Sequence, residues 1–426
     1  MTPASPAAPR GLDPTRIVLP GGAVVITKTT KKTPAVAIHL AVRAGSESDP
    51  PGRPGAAHLL ARVIDRGTAS RSADAVAEAL EGRGVSLSVG VNRHTLSAAC
   101  TCLAEDFEAV LALLAEIVMV PALPAAEIAT RKGEVITAIR QDQDSPSAQA
   151  IEALMTALYG SDHPYGRRLK GTPESVGMMT RDDLVRLHTG RFAPGALSVV
   201  IVGDVDTLAA VRLAGDVFGP WTAPSPAPVE VGSAQPELTR RRIVVPMPAR
   251  AQTEVAYGFV TIRRADPAYY AFWLMNNILG QYAMGGRLGS SIRERQGMAY
   301  SVSSVLDANL AEGPLVIRAG VSAANVDRTI ASIDEELIRI GNEGVTAREL
   351  SESRQYLVGS MPRALETNAG IAAFLQSSEF FGLGLDYDIR LADLLGLVTL
   401  DDVRDAARRS LDPDRATIVV AGPYEG

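Results

Sequence analysis

The chain has 426 residues, a hydrophobic fraction of 46%, a charged fraction of 21% and a formal net charge of −6. Because this length exceeds what one ordinary hydrophobic core uses, we expect two domains. The acidic balance and the aromatic fraction of 5% argue against nucleic-acid binding, which relies on basic surfaces and stacking rings.

The N-terminal segment is rich in proline and alanine. Residues 1–15 contain no apolar run of the kind found in a signal peptide. We therefore expect a disordered tail and a cytoplasmic location, or a periplasmic one if a leader has been removed. Residues 267–286 carry no charge but include Asn276, Asn277 and Gln281, which predicts a buried helix and no membrane span.

Strand and helix patterns alternate through the first half. Strand patterns are period-two or short apolar runs bounded by Gly and Pro, and they occupy 16–30 as a hairpin, 35–44, 84–102 and 197–202. Helix patterns are longer and several begin at Ser or Pro. They cover 55–64, 72–81, 107–120 and 124–143, and a further helix ends at 158.

The second half repeats the first. A stretch rich in Pro, Ser and Ala, 221–238, predicts an interdomain linker. Motifs on its two sides recur at a spacing of 219 residues, with the pairs Thr180 and Thr399, Pro194 and Pro413, and Gly203 and Gly422. We infer an internal duplication, with one domain over 16–220 and another over 239–426. The element order predicts an α+β fold, in which each domain is a mostly antiparallel sheet with helices packed on one face.

The segment 283–304 has the clearest functional pattern. A glycine pair precedes a short polar helix, and Gly297 stands where the helix ends and a positive φ is needed. Arg293 lies in the last turns of this helix, and Tyr300 lies at the start of the next strand. If the two side chains converge, they form a donor pair for a carbonyl oxygen or an oxyanion. Each also has an ordinary structural explanation, because Arg complements a helix C-terminus and Tyr packs well in strands.

This segment resembles the C-terminal signature of the pitrilysin/insulinase-like metallopeptidases, the inverted-zincin family that includes mitochondrial processing peptidase. In that family a Gly-rich turn, an Arg-rich helix, a Gly and a Tyr-containing strand recur in this order. The resemblance implies that Arg293 and Tyr300 bind the substrate backbone beside the scissile bond, with Gly285 and Gly286 in a substrate-binding turn. It extends in weaker form over most of the chain and implies two domains of the fold predicted above.

The resemblance also implies a zinc motif in the first half, and this motif is degenerate. Active members carry H-x-x-E-H on a helix, where two His bind zinc and the Glu polarises the attacking water. The corresponding positions begin with His58, but Ala61 replaces the Glu and Arg62 replaces the second His. A further Glu of the family falls near Thr137 and Ala138, which carry no carboxylate. We expect no metal site in this chain, because arginine adds positive charge and no lone pair.

These patterns predict the zinc-less subunit of a heterodimeric metallopeptidase that is inactive alone. In several relatives one chain keeps H-x-x-E-H and its partner keeps the Arg/Tyr pair. The resemblance therefore implies a homologous partner that supplies zinc and the catalytic Glu, while Arg293 and Tyr300 bind the peptide substrate. The alternative is an inactive scaffold or peptide-binding homologue. Retention of both residues at their spacing favours the subunit.

The sequence does not support two other functional classes, a hydrolase that acts alone and a nucleotide-binding protein. An autonomous hydrolase with another nucleophile lacks a G-x-S-x-G elbow, and the second half contains no His to serve as a base. A nucleotide site at residues 285–289 lacks the Lys and Ser/Thr of a P-loop.

Overall fold

The structure is a computed structural model that describes residues 11–234, 238–282 and 284–425. Parts of the predicted tail and linker, and Ala283, lie outside these residues. The strands are β1 (Thr15–Val18), β2 (Val24–Thr29), β3 (Ala35–Val42), β4 (Ser88–Val91), β5 (Leu96–Leu103), β6 (Leu197–Gly203), β7 (Arg241–Pro246), β8 (Thr253–Val260), β9 (Ala299–Leu306), β10 (Pro314–Val321) and β11 (Thr417–Gly422). The helices are α1 (Ala56–Val63), α2 (Ala73–Glu81), α3 (Phe107–Met119), α4 (Ala125–Gln143), α5 (Pro146–Tyr159), α6 (Pro173–Met178), α7 (Arg181–Arg191), α8 (Thr207–Phe218), α9 (Tyr269–Asn276), α10 (Gly286–Leu288), α11 (Val326–Glu343), α12 (Ala347–Ala364), α13 (Asn368–Phe381), α14 (Tyr387–Gly396) and α15 (Leu400–Ser410).

The first sheet has the strand order β1-β2-β6-β3-β5-β4. Its neighbouring strands are antiparallel except β2 and β6, which run parallel. Helix α13 lies on one face, where Ile371 and Leu375 form a buried cluster with Ile26, Ala37 and Val200. The paired register places those three sheet residues on the same face, because side chains alternate along a strand.

The second sheet has the strand order β7-β11-β8-β10-β9. Only β7 and β11 are parallel neighbours. Helix α5 packs on β8 and β11, and its Leu154 is buried in a cluster with Ala256 and Val419. Gly258 makes this packing possible, because a Cβ at that position would lie 2.9 Å from Cδ2 of Leu154. The predicted α+β class, with two domains built on mostly antiparallel sheets, is confirmed.

Each compact unit contains a helix from the other repeat. Helix α5 precedes the linker in sequence but belongs to the second unit, and α13 follows the linker but belongs to the first. The first unit comprises the described residues up to Ile136, Leu169–Val229 and Ser360–Asp393, and the second comprises Thr137–Arg168, Glu230–Gly359 and the described residues from Leu394. The domain limits proposed from sequence follow the repeats along the chain, whereas each core uses segments of both repeats.

Helix starts reflect the duplication. The equivalent helices α7 and α15 begin with the same capping box, formed by Thr180 with Asp183 and by Thr399 with Asp402. Ser145 caps α5 and is followed by a proline at the first helical position. None of the described helices combines the length and the apolar content that a bilayer span requires.

A substitution in α5 tests whether this helix, which precedes the predicted linker, packs on the second sheet. Leu154→Ala should lower the free energy of unfolding by about 2–5 kcal/mol, because it leaves a cavity between a helix and a sheet. Urea denaturation followed by circular dichroism measures this change. Leu208→Ala, in the exposed surface of α8, is the matched control and should change it by less than about 0.5 kcal/mol. Equal effects of the two substitutions would contradict the assigned packing.

Candidate functional site

The segment that resembles the family signature, of which residues 284–304 are described, forms a turn, a short helix and an edge strand in the second unit. Helix α10 is followed by a π-helical turn, Gly289–Arg295, and this turn packs against β9. Gly297 has a φ of 61°, the left-handed conformation that the sequence predicted for it. The sequence predicted the helix at this place but not its π geometry, which often marks functional sites.

Arg293 lies in the last turn of the π-helical segment and is partly exposed. Its Nη2 lies 3.2 Å from Oε1 of Glu294, the adjacent residue. A pair of neighbouring surface residues contributes little free energy. The guanidinium therefore keeps donor groups that can turn to a ligand.

Tyr300 is displaced outward by an irregularity in the sheet. Strand β9 pairs Ser301 with Gly320 and Ala299 with Val321, so Tyr300 has no partner on β10. Such a bulge re-aims a side chain, and 87% of Tyr300 is exposed. Among the described residues, Tyr300 and Arg293 do not hydrogen-bond to each other. The structure thus brings their two elements together and leaves Tyr300 exposed and Arg293 partly exposed.

Gly285 and Gly286 are required by the packing of the turn. Gly285 has a φ of 109°, and a Cβ on it would lie 2.6 Å from the carbonyl oxygen of Val302 on β9. Gly286 has a φ of 56°, and its Cβ would lie 2.3 Å from the carbonyl oxygen of Ile278. Because real Cβ atoms do not approach so closely, the two glycines hold the turn against its neighbours.

A partly buried ion pair fixes this turn to α12, and the sequence analysis missed it. Arg287 donates to both carboxylate oxygens of Glu349, at 2.7 and 2.8 Å, and to the carbonyl oxygen of Gly344 at 3.0 Å. Burial alone would raise the pKa of Glu349, but hydrogen bonds from Arg287 and Thr346 lower it to about 2. The sequence offered no local signal for this pair, because its two residues are 62 positions apart.

A cavity of about 600 Å³ opens beside the turn. Its lining includes Tyr282, Arg287, Glu294, Arg295 and Glu349. Both signs of charge are present, and the arginines have carboxylate neighbours. This lining suits a polar, peptide-like group better than a strongly charged ion.

The degenerate motif lies on α1 of the first unit. His58 is half-buried, Ala61 is buried and Arg62 is exposed. Asp49 accepts hydrogen bonds of 2.7 Å from the backbone N–H groups of Gly55 and Ala57. This buried carboxylate orders the start of α1, as an acidic side chain does at a helix N-terminus.

Arg62 is tied to α4 by an ion pair. Its Nη2 lies 3.3 Å from Oε2 of Glu134, and Glu134 also accepts hydrogen bonds of 2.6 and 2.8 Å from Arg131. The hydrogen bond from Arg131, followed by that from Arg62, lowers the pKa of Glu134. The family's second metal-ligand position thus carries a cation that already has an anionic partner.

These residues do not fit a zinc ion. Ala61 has no polar side-chain atom, and the guanidinium of Arg62 offers no lone pair to a metal. Neither Thr137 nor Ala138 carries a carboxylate. Within the described ranges, no group of three or more His, Cys, Asp and Glu side chains is arranged to hold a metal ion.

Comparison with known proteins matches each repeat to a family profile. The profile described as Insulinase (Peptidase family M16) matches residues 24–172. The profile described as Peptidase M16 inactive domain matches residues 179–357. The two matches lie on either side of α6 and together span most of the chain.

Relatives and a solved structure agree over nearly full length. An uncharacterized zinc protease of Mycobacterium tuberculosis is 29% identical over 99% of this chain and 96% of that protein. A non-peptidase homolog of Helicobacter pylori is 24% identical over 93% of this chain and 91% of that protein. The crystal structure of a peptidase M16 inactive domain from Pseudomonas fluorescens has a TM-score of 0.89 and 28% identity, covering 97% of this chain and 99% of that one.

The altered motif predicts that the isolated chain does not retain zinc. After incubation with zinc and dialysis, elemental analysis should find far less than one zinc ion per chain, because Ala61 and Arg62 supply no ligand. A homologue with an intact H-x-x-E-H, treated in parallel, is the control. One zinc ion per chain that is lost in His58→Ala would contradict this prediction.

The Arg287–Glu349 pair predicts an acid-sensitive stability. The carboxylate titrates near 4.5 when unperturbed and near 2 in the folded chain, so its contribution is present above about pH 4.5 and lost as the pH falls toward 2. Glu349→Gln should lower the free energy of unfolding at pH 7 by about 1–3 kcal/mol. It should also weaken the decline of stability between these pH values, as measured by denaturant titration.

Glu352→Gln is the matched control for this substitution. Glu352 lies on the same helix and pairs with the exposed Arg348, so its loss should change stability by less than about 1 kcal/mol. Indistinguishable pH profiles for the two variants would argue against the assigned role of Glu349.

Proposed function

The chain belongs to the insulinase family of peptidases, family M16, and we propose that it is the zinc-less subunit of a heterodimeric metallopeptidase. In this proposal a homologous partner chain carries the zinc ion and the catalytic Glu. This chain contributes Arg293 and Tyr300 to the binding of an extended peptide. The observation that carries the proposal is Tyr300, a tyrosine turned out by a bulge and 87% exposed beside the turn that holds Arg293.

The chemistry assigned to this chain is hydrogen-bond donation. A guanidinium and a phenol both donate to the carbonyl oxygen of a peptide bond and bind more strongly to the oxygen when it gains negative charge. A guanidinium is a hydrogen-bond donor only, so this interaction requires no proton transfer. The zinc of the partner would supply the activated water, as it does in zinc peptidases.

The degenerate motif supports an active site that is divided between two chains. Hydrolysis by this chain alone would need a general base and a second His on α1, where Ala61 and Arg62 stand, and an acidic ligand near Thr137 and Ala138 on α4. The ion pair between Arg62 and Glu134 occupies the face from which those ligands would project. The chain therefore depends on another polypeptide for the metal.

A second candidate is an inactive scaffold or peptide-binding homologue. The names of two relatives favour it, since one is called a non-peptidase homolog and the other an inactive domain. In a scaffold, Arg293 and Tyr300 need not touch a reacting peptide bond. The two candidate functions therefore make different predictions: loss of the Tyr300 hydroxyl group slows peptide hydrolysis by the two-chain complex only if this chain is a peptidase subunit.

The divided site predicts a specific effect of Tyr300→Phe. In a mixture with a homologous chain that keeps H-x-x-E-H, peptide hydrolysis should fall by about 10²–10³-fold in kcat, because one donor to the developing oxyanion is removed. Hydrolysis of a peptide library by each chain alone and by the mixture, followed by mass spectrometry, measures this effect.

Tyr356→Phe is the matched control, since Tyr356 is a partly exposed tyrosine on α12 and should leave the rate unchanged. Unfolding midpoints of both variants should equal that of the unchanged chain. If Tyr300→Phe does not alter the rate of the mixture, the subunit role is wrong and the scaffold is favoured.

A further inference from the structure

A second cavity of the second unit lies where the start of α9, the end of α14 and α15 meet. It has a volume of about 440 Å³ and shares no lining residue with the cavity beside the glycine turn. Much of its lining is apolar and includes Tyr270, Leu397 and Val398, and 76% of Leu397 is exposed. Two carboxylates, those of Asp402 and Asp405, also line the cavity. An apolar surface with a few polar groups is typical of a binding site.

The first repeat shows what accompanies one of these carboxylates at the equivalent place. Asp402 follows Asp183 by the repeat spacing of 219 residues, and each belongs to the capping box of its helix. Asp183 is buried and accepts hydrogen bonds from the guanidinium groups of Arg53 and Arg186. The first repeat thus holds two arginine side chains against this carboxylate.

The second repeat replaces both arginines with acidic residues. Arg186 corresponds to Asp405 at the same spacing of 219 residues. Arg53 lies two residues before the N-cap of α1, and Asp266 lies two residues before the N-cap of α9. These positions are comparable, because α1 packs on α7 as α9 packs on α15. Each therefore carries a carboxylate where the first repeat has a guanidinium.

The arginine that lines the cavity is already paired. Arg409 lies 2.9 Å from a carboxylate oxygen of Asp266, and Asp402 accepts hydrogen bonds from Thr399 through Oδ2. Within the part of the chain that the structure describes, no arginine or lysine forms an ion pair with Asp402 or Asp405. Two carboxylates at positions i and i+3 of a helix repel each other and attract a cation.

We propose that this cavity binds the arginine side chain of another polypeptide. The guanidinium lies against Asp402 and Asp405, as those of Arg53 and Arg186 lie against Asp183. Its methylene groups cover the apolar lining, because long cationic side chains pack their stems on apolar surface. Lysine is a poorer ligand here, since an ammonium lacks the planar set of donors that a guanidinium offers to carboxylates.

The occupant is an arginine residue within a chain and not the free amino acid. Free arginine carries its own carboxylate, which would lie near Asp402 and Asp405 or compete with Asp266 for Arg409. A peptide bond at that place carries no charge and avoids this repulsion. The inference is independent of the proposed function, because neither residue assigned to peptide hydrolysis lines the cavity.

The test uses the full chain and a fluorescent, blocked peptide with one arginine between leucine and alanine residues. Replacement of arginine by citrulline keeps the shape and removes the charge, so it should weaken binding at least about tenfold. Fluorescence anisotropy measures both peptides. Absence of binding by the arginine peptide, or equal affinity of the two peptides, would overturn the proposal. Free arginine that competes as well as the unlabelled peptide would refute a polypeptide as the source.

Asp405→Arg gives the second repeat the guanidinium that Arg186 supplies in the first. The new side chain can pair with Asp402 one turn away, so binding of the arginine peptide should fall at least about tenfold. Glu343→Arg is the matched control, because it makes the same change of charge at an exposed residue of α11 outside the cavity. It should change binding less than about twofold.

Asp405→Asn covers the case in which the arginine variant folds poorly. It removes the charge without adding volume and should weaken binding by about threefold or more. Unfolding midpoints of all variants report whether the fold is intact. Binding that is unchanged in a folded Asp405 variant, or that falls equally in Glu343→Arg, would refute the assigned role of the two carboxylates.

Discussion

The burial of one helix against the sheet of the other repeat is the constraint on which both cores depend. Leu154 of α5 is fully buried on the second sheet, and Leu375 of α13 is fully buried on the first. A sheet face of this size must be covered, because exposed apolar area costs free energy in proportion to its extent. Helices of the same repeat, such as α8 on β2, also pack on the sheets, but these two buried clusters are completed by a helix of the other repeat. The chain therefore passes between the two units at several places besides the predicted linker, as at Ile136 and at Ser360.

The same packing explains why the candidate site lies where it does. Helix α5 packs on β8 and β11, so the end of the sheet formed by β9 is left without that cover. The glycine turn closes over the buried residues of β9, and the bulge turns Tyr300 outward. A site that binds a flexible peptide needs hydrogen-bond donors that are exposed to solvent and carried by well-packed backbone segments. The ion pair of Arg287 with Glu349 adds to that support from α12.

Local features of the fold could be predicted from the sequence, whereas most long-range pairings could not. The periodicities placed β3, α1 and α3 within a few residues of their observed limits, and the spacing of Thr180 and Thr399 revealed two equivalent capped helices. The exchange of α5 and α13 was missed, because an amphipathic pattern says that a helix is buried but not against which sheet. The bulge at Tyr300 depends on its register with β10, a strand that begins later in the chain. Arg287 and Glu349 are 62 residues apart, and no local pattern connects them.

The altered metal motif costs the first unit little stability, which explains how the fold persists without it. The pair of Arg62 and Glu134 joins α1 to α4, but its side chains are 49% and 42% exposed, so it contributes about 1 kcal/mol or less. Helix α1 is held instead by Leu59, Leu60 and Val63, which are fully buried, and by the cap from Asp49. A helix fixed by its apolar face does not need a metal ion to keep its place. The residues at positions 61 and 62 can therefore differ from the zinc motif while the rest of the architecture, including the exposed Tyr300, stays intact.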